Sequence, residues 1–276
     1  MNVEREEIVD VLAEEWAAIV ALGEALSPAD WDAASECPGW TVRDLVAHMV
    51  GTERSLLGEA PPPAPPEADG VVPDHVRNPT GAANERWVAA RRGRPGAEVV
   101  DEFAEVTARR LAELRADPPE RFEEVGPSPV GVVPYREFMA VRVMDCWVHE
   151  QDMRVATGRP RRAEGRPAEV ALGRIASAMP FVVGKRAGAA EGSSVRFEVE
   201  GPGSRRLDVL VSGGRAAVVP SLAAEPTATL TLSTDAFWRL GCGRITGGQA
   251  VERGLVSLGG DGALSRAVLD SMAFMI

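Results

Sequence analysis

The first 158 residues repeat apolar side chains at steps of three and four, a spacing that constrains the fold more than any other feature. This spacing puts the apolar side chains on one face of a helix, so it predicts amphipathic helices rather than strands. Proline- and glycine-containing connections divide the region into four helical segments, the third interrupted near residues 93–96. The segments cover residues 3–26, 41–58, 82–116 and 134–157. Helices joined in this way predict an antiparallel four-helix bundle.

The pattern changes after residue 158. A polar linker rich in arginine, glycine and proline covers residues 159–167, and one more helix is predicted over residues 168–187. Short strand-like runs then alternate with glycine-rich or proline-containing turns, and helices are predicted near residues 234–241 and 262–273. The strand-like runs cover residues 194–200, 206–211, 215–219, 227–232 and 254–258. This region therefore predicts helices packed against a small antiparallel sheet.

Together these patterns predict an α+β chain of two domains. The antiparallel four-helix bundle is expected over residues 1–160, and the small α+β domain with its antiparallel sheet over residues 161–276. A chain of 276 residues is long enough for two domains. No apolar run approaches the roughly 18 residues that a membrane-spanning helix needs.

Charge and cysteine content restrict the classes of partner. The chain has 30 basic and 41 acidic residues, a formal net charge of −11, so neither nucleic acid nor an anionic membrane is an expected partner. Its three cysteines are odd in number and widely spaced, which gives no disulfide framework and no zinc-finger spacing. The acidic N-terminal segment does not resemble a signal peptide, and a cytoplasmic location is expected.

The fourth predicted helix carries a carboxylate and an imidazole one turn apart. Asp145 and His149 lie within about 40° of each other on one helical face, and Asp152 falls on the same face. Helix bundles commonly build metal sites from such pairs, and His48 on the second helix offers a third ligand. Asp44, one turn before His48, is expected to orient its imidazole as a hydrogen-bond acceptor.

Each of these residues also has an interpretation without a metal. An aspartate and a histidine four residues apart commonly form a solvated ion pair or a local hydrogen bond. His48 stands among apolar residues and equally fits a buried core histidine. The remaining histidine, His75, falls in a proline-rich connection where a solvated side chain is expected. Spacing alone therefore leaves the metal site open.

Two longer segments resemble a known family. Residues 37–49 (CPGWTVRDLVAHM) and 142–154 (RVMDCWVHEQDMR) resemble the two signature motifs of the mycothiol-dependent maleylpyruvate isomerase family, in the expected order and at the expected distance. The resemblance implies a DinB-like four-helix bundle that binds a metal, followed by an α+β domain similar to sterol carrier proteins. The stretch from residue 228 to residue 262 fits that second domain, so the resemblance spans nearly the whole chain.

The resemblance implies that the metal ligands are His48, Asp145 and His149. The family typically has glutamate where this chain has Asp145, and the shorter aspartate changes the geometry or the metal preference of the site. Three protein ligands leave one coordination position open, as in catalytic zinc sites. The implied cofactors are a divalent metal, with zinc expected, and mycothiol as a cosubstrate that binds as its nucleophilic thiolate.

The resemblance also implies which cations bind mycothiol. Residues 241–244 (GCGR) resemble the segment in which the family's second domain contributes an arginine, so Arg244 is the candidate for catalysis and for mycothiol binding. Its alternative is a solvated arginine in a glycine-rich loop. Arg154, in the second motif, is another candidate for mycothiol binding, and its alternative is an ion pair within the helical domain.

These inferences predict a metal-dependent enzyme that uses mycothiol. The thiolate either transfers to an electrophile, as in an S-transferase, or assists cis–trans isomerisation of a maleylpyruvate-like acid, and Asp145 favours the broader transferase. The expected partners are a small-molecule thiol and an electrophilic or cis-enoyl substrate. No protein cysteine is expected to be the nucleophile. The alternative is a non-catalytic protein that binds an apolar ligand on the same scaffold.

Overall fold

The computed structural model describes residues 5–63 and 73–275, which form two compact units. The units cover residues 1–162 and 163–276. Part of the proline-rich connection that was expected to be an exposed loop, residues 64–72, lies outside the described residues. Among the helices described in the two units, none is both long enough and apolar enough to span a membrane. The predicted α+β class, with a helical N-terminal region and a C-terminal sheet, is confirmed.

The first unit is built from long helices whose apolar faces meet in a buried core. Helix α1 packs against α4 and α5, and α2 packs against α3, α4 and α5. Their bounds are α1 (Arg5–Glu24), α2 (Val42–Leu56), α3 (Pro79–Ala89), α4 (Gly96–Ala116) and α5 (Tyr135–Ala156). The predicted third segment consists of two helices. Pro95 stands immediately before α4, and a proline there prevents a continuous helix through the predicted interruption. Helix α3 starts earlier than predicted, at Pro79, with the Asn78 side chain as its cap.

Helix α2 starts at a capping box that the sequence indicated. The Thr41 hydroxyl accepts the N–H of Asp44, and the Asp44 carboxylate accepts the N–H of Thr41. Helix α5 follows a hairpin that was not predicted, formed by the antiparallel strands β1 (Val125–Ser128) and β2 (Gly131–Pro134). Four-residue strands that contain glycine and proline give no alternating pattern.

The second unit contains a five-stranded sheet in the order β5-β4-β3-β6-β7. Its strands are β3 (Ser194–Glu200), β4 (Arg205–Ser212), β5 (Arg215–Val219), β6 (Ala228–Ser233) and β7 (Val256–Gly260). The prediction of an antiparallel sheet is wrong for one pair, because β3 and β6 are parallel. The connection between β5 and β6 returns the chain to the other side of β3, and β6 therefore runs in the same direction as β3.

In sequence, the helices of the second unit come before β3, between β6 and β7, and after β7. They are α6 (Arg166–Ser177), the single turn α7 (Met179–Phe181), α8 (Thr234–Gly241), α9 (Gly247–Glu252) and α10 (Gly262–Asp270). The predicted helix over residues 168–187 is thus divided, and its last turn, Val182–Arg186, is a π-helix. Helix α9 was not predicted, because six residues with two glycines give little periodicity.

Candidate metal centre

Two helices bring the three predicted ligands together. His48 lies on α2, whereas Asp145 and His149 lie one turn apart on α5, and one donor atom of each residue is within 4.8 Å of the other two. His48 Nε2 is 3.4 Å from Asp145 Oδ2, and His149 Nε2 is 3.6 Å from Asp145 Oδ1. The centroids of the two imidazole rings are 5.0 Å apart. Two imidazoles and one carboxylate form a donor set that suits zinc and similar divalent metals.

The protonation states of this group also suit metal binding. Burial lowers the pKa of His48, and the charge of Asp145 only partly counteracts that shift, so the neutral imidazole with its free lone pair is favoured. Burial alone would raise the pKa of Asp145. The charge of Arg142 and a hydrogen bond from His48 oppose this effect, and the pKa of Asp145 ends well below its usual value. The carboxylate is therefore ionised and able to bind a cation.

A buried ion-pair network holds Asp145. Arg142 Nη1 donates to Asp145 Oδ2 at 2.5 Å, and the Nε and Nη2 groups of Arg142 donate to Glu53 Oε1 at 3.0 and 2.7 Å. Arg110 Nε lies 3.4 Å from the other oxygen of Glu53. The network joins α2, α4 and α5. The sequence analysis did not predict this network. Two signals were present: Arg142 stands one turn before Asp145 in the second motif, and Glu53 is a charged residue among the buried residues of α2.

The other nitrogen of His149 faces Asp152. His149 Nδ1 is 3.2 Å from Asp152 Oδ2, and the Cys37 thiol donates to the same oxygen at 3.4 Å. Asp152 is completely buried, and Cys37 is buried as predicted. Cys37, His149 and Asp152 also have donor atoms within 4.8 Å of one another. The sequence indicated the helical face of Asp152, but it gave no sign of this contact with Cys37.

An aromatic ring covers the two imidazoles. The centroid of the Trp40 ring lies 5.2 Å from that of His48 and 6.3 Å from that of His149. The Trp40 indole N–H donates to Glu85 Oε2 at 3.0 Å, which fixes the orientation of the ring. Trp40 stands in the turn immediately before α2, so the same turn that starts this helix also shields its histidine.

The prediction of a solvated His75 is wrong. His75 Nε2 is 3.0 Å from Glu85 Oε2, and only 19% of the His75 side chain is exposed. The imidazole rests on Gly39, where the backbone has φ +79° and an added Cβ would come within 2.5 Å of His75 Nδ1. A residue with no side chain at position 39 therefore makes room for His75 beside Trp40.

The expected contact between Asp44 and His48 does not form. The Asp44 carboxylate accepts the N–H of Thr41 and lies 3.5 Å from Arg92 Nε, so it is used at the start of α2. His48 Nδ1 is buried and has no hydrogen-bond partner among the described residues. The two histidines therefore differ, because only His149 has an acceptor at Nδ1.

The two predicted arginines lie outside the three-residue group. Arg154 Nε donates to Glu150 Oε1 at 2.9 Å, and Arg154 Nη1 donates to the carbonyl of Pro160 at 3.1 Å. This is the ion pair that the sequence left open as its alternative. Arg244 belongs to the second unit, where its Nη1 donates to the carbonyl of Cys242 at 2.8 Å. A role of either arginine in mycothiol binding stays a prediction.

The cysteines nearest the group are poor nucleophiles in this setting. Cys146 is completely buried, and burial raises the pKa of its thiol despite the nearby guanidinium of Arg142. A thiol that stays protonated is a weak nucleophile. The S–H group of Cys37 donates a hydrogen bond to Asp152 and keeps its proton. Any thiolate chemistry at this site therefore suits a small-molecule thiol better than a protein thiol.

Comparisons with known proteins agree on one family and one fold. The family model described as "Mycothiol maleylpyruvate isomerase N-terminal domain" matches residues 12–154. A crystal structure of the mycothiol-dependent maleylpyruvate isomerase aligns with a TM-score of 0.59 at 18% identity, covering 89% of this chain and 93% of that chain. A histidine-to-alanine mutant aligns with the same TM-score at 17% identity, covering 94% and 95%. No curated protein matches the sequence. At these identities the structural likeness shows a shared fold.

Proposed function

The chain belongs to the mycothiol maleylpyruvate isomerase family, and from this membership we propose that it is a metal-dependent enzyme with mycothiol as its cosubstrate. The observation that supports the proposal most directly is the grouping of His48, Asp145 and His149, with donor atoms within 4.8 Å of one another. We also propose that α1, α2, α4 and α5 form the DinB-like four-helix bundle that the family resemblance implies. The contacts of α1 and α2 with both α4 and α5 support this arrangement.

The residues present fit a catalytic rather than a structural metal site. Three protein donors leave a coordination position for a small molecule. The His48 and His149 side chains are each only 8% exposed, whereas Asp145 is 19% exposed, so the carboxylate marks the side from which a small molecule can approach. When bound, a divalent metal would lower the pKa of the mycothiol thiol and so supply the thiolate nucleophile.

The protein's own side chains prepare this site. Arg142 keeps Asp145 ionised and holds one of its oxygens in place. Trp40 covers both imidazoles and reduces the access of water to them. Arg244 is proposed to bind an acidic or hydrogen-bonding group of mycothiol. Three cysteines that form no disulfide and a thiol cosubstrate both suit a reducing cytoplasm, which we propose as the location.

Two reactions are compatible with this chemistry. In S-transfer, the thiolate sulfur forms a bond to an electrophilic carbon. That carbon either loses a leaving group with its bonding electron pair, or gives up the π electrons of a polarised double bond to the neighbouring atom, which takes up a proton. The adduct then leaves, so mycothiol is consumed. In isomerisation, the sulfur adds to a cis double bond of a maleylpyruvate-like acid, the carbon–carbon single bond rotates, and elimination releases mycothiol unchanged. We favour the broader transferase, because Asp145 is one methylene shorter than the glutamate expected in the isomerases.

Metal content tests the proposal. Protein that is stripped with a chelator and dialysed against zinc is expected to retain about one equivalent by elemental analysis. Cobalt-loaded protein is expected to gain a sulfur-to-metal charge-transfer band with mycothiol, and S-methyl mycothiol, which cannot form a thiolate, is the control. Retention of less than roughly a tenth of an equivalent of zinc and of other divalent metals would contradict a metal-dependent enzyme.

A turnover screen then separates the two reactions. Metal-loaded protein is incubated with mycothiol and a panel of electrophiles and cis-enoyl acids, and the free thiol is titrated over time. A transferase consumes one thiol for each product molecule, whereas an isomerase leaves the thiol concentration constant while the substrate spectrum changes. Absence of turnover with metal and mycothiol bound would favour the non-catalytic binding protein.

Replacing Arg244 with alanine is expected to weaken mycothiol binding about 10–150-fold without changing the metal content, because a charge-assisted hydrogen bond contributes about 1.5–3 kcal/mol. Calorimetric titration of the metal-loaded protein measures the effect. Arg266→Ala is the matched control, since Arg266 lies in the same unit and forms an exposed pair with Asp270. Equal mycothiol affinity in both variants would make Arg244 an ordinary surface arginine.

A further inference from the structure

Asp152 is a buried carboxylate to which the proposed mechanism gives no task. It lies on α5, three residues after His149, and it has no exposed surface. Its Oδ2 atom faces two groups at once, His149 Nδ1 at 3.2 Å and the Cys37 thiol at 3.4 Å. Burying a carboxylate is costly unless hydrogen bonds offset the lost hydration, so these contacts account for its place in the core.

The contact with His149 restricts which nitrogen carries the proton. A neutral imidazole has one N–H donor and one lone-pair acceptor, and an ionised carboxylate only accepts. With Asp152 ionised, a hydrogen bond between its carboxylate and His149 therefore requires the proton on Nδ1. The lone pair then lies on Nε2, which faces Asp145 at 3.6 Å.

We propose that Asp152 is a positioning residue that holds His149 as the Nδ1–H tautomer and so directs the Nε2 lone pair toward Asp145 and His48. The inference rests on the proposed function, because Nε2 needs this lone pair to act as a metal ligand. Carboxylates that accept the second N–H of a metal-binding imidazole fix the tautomer and the ring orientation, and they make the imidazole a better donor. Neither family membership nor the three-residue group assigns Asp152 this role.

The second histidine provides an internal comparison. His48 Nδ1 is buried and has no hydrogen-bond partner among the described residues, so no acceptor holds a proton at that nitrogen. The two ligands are therefore unequal before any metal binds: His149 is preorganised, whereas His48 is not. Preorganisation lowers the cost of binding, so the loss of Asp152 is expected to weaken metal binding through His149 alone.

Cys37 strengthens the arrangement from a different part of the chain. It stands in the turn before α2, 115 residues away from Asp152 in sequence, and its thiol donates to the same carboxylate oxygen. Asp152 thereby connects α5 to the turn that leads into the helix of His48. The thiol contacts the carboxylate oxygen that faces Nδ1 of His149, whereas Nε2 faces Asp145, so we assign Cys37 to the support of Asp152 rather than to the ligand set.

Nitrogen NMR of metal-free protein tests the tautomer directly. Long-range proton–nitrogen correlations of histidine-labelled protein distinguish the two tautomers at about pH 9, where imidazoles are neutral. We expect the Nδ1–H tautomer at His149 in the natural protein. In Asp152→Leu, which is similar in size and cannot accept a hydrogen bond, we expect loss of this preference at His149 and no change at His48. Chelator competition is expected to show a fall in zinc affinity of about 10–100-fold.

Two further variants keep the test decisive. Asp44→Asn is the matched control, because Asp44 is a buried carboxylate one turn from His48 that makes no contact with it, and it is expected to leave both tautomers unchanged. Cys37→Ala retains the carboxylate and is expected to retain the Nδ1–H tautomer, which keeps the assignment testable if Asp152→Leu does not fold. An Nε2–H tautomer at His149 in the natural protein would overturn the inference, as would an Asp152→Leu variant with unchanged tautomer and unchanged zinc affinity.

The readouts separate this inference from the proposed function. The tautomer is measured without metal, so an Nδ1–H tautomer in a protein that retains no divalent metal would support the positioning of His149 and contradict the metal-dependent enzyme. Conversely, a protein that binds one equivalent of zinc but has the Nε2–H tautomer at His149 would contradict the role of Asp152 alone.

Discussion

Alanine in place of His149 is expected to lower the affinity for zinc at least about a hundredfold while leaving the helical unit folded. Loss of groups that merely support a ligand already costs about 10–100-fold in affinity, and this change removes a ligand itself. The fold should persist, because a site with an open coordination position is not expected to nucleate folding and alanine favours helices. Competition with a fluorescent chelator measures the affinity, and circular dichroism reports the helix content.

The third histidine of the chain supplies the matched control. His75 also lies beside Trp40, but it contacts Glu85 and does not belong to the three-residue group. His75→Ala is therefore expected to retain the zinc affinity of the natural protein. If His149→Ala binds zinc as tightly as His75→Ala, the proposed ligand set is incorrect.

Alanine in place of Glu53 is expected to lower the free energy of unfolding by about 3–5 kcal/mol, which is typical of breaking a buried ion pair by removing one partner. Glu53 is 1% exposed, and it accepts two hydrogen bonds from Arg142 while its second oxygen faces Arg110. The side chains of Arg110 and Arg142 are each 4% exposed, so bulk water does not compensate for the lost carboxylate. Urea unfolding of metal-free protein, followed by circular dichroism, measures the loss.

Glu113 is the control for this prediction. It contacts the same Arg110, through Nη1 at 3.2 Å, but 55% of its side chain is exposed. Exposed ion pairs contribute about 1 kcal/mol or less, so Glu113→Ala is expected to cost no more than that. A loss in Glu53→Ala no larger than the loss in Glu113→Ala would show that the network does not depend on Glu53.

Local sequence patterns predicted most helices and strands, because periodicity and caps act over a few residues. Thr41 and Asp44 show this, since the capping box that they predict is the one that starts α2. The parallel pairing of β3 and β6 was not predictable in the same way. It depends on the path of a connection across the sheet, which leaves no local pattern.

The candidate site shows the same difference between local features, which the sequence predicted, and long-range contacts, which it did not. The four-residue spacing of Asp145 and His149 placed both on one face of α5, His48 on the second helix was a candidate third ligand, and the family resemblance implied all three as the ligand set. The contacts that support this group join distant parts of the chain: Glu53 and Arg142 are 89 residues apart, and Cys37 and Asp152 are 115 residues apart. Only the packing of α2 and its preceding turn against α5 brings such pairs together, so spacing within one helix could not predict them.

The close approach of His75 to Gly39 has an evolutionary consequence. A side chain at position 39 would displace the imidazole, and the φ of +79° disfavours any residue with a Cβ even where the imidazole is absent. Substitution at the two positions is therefore asymmetric. A lineage can exchange His75 for a smaller residue without changing position 39, but it cannot gain a side chain at position 39 while the turn keeps its path. Among relatives that retain this turn, we expect variation at position 75 and constancy at position 39.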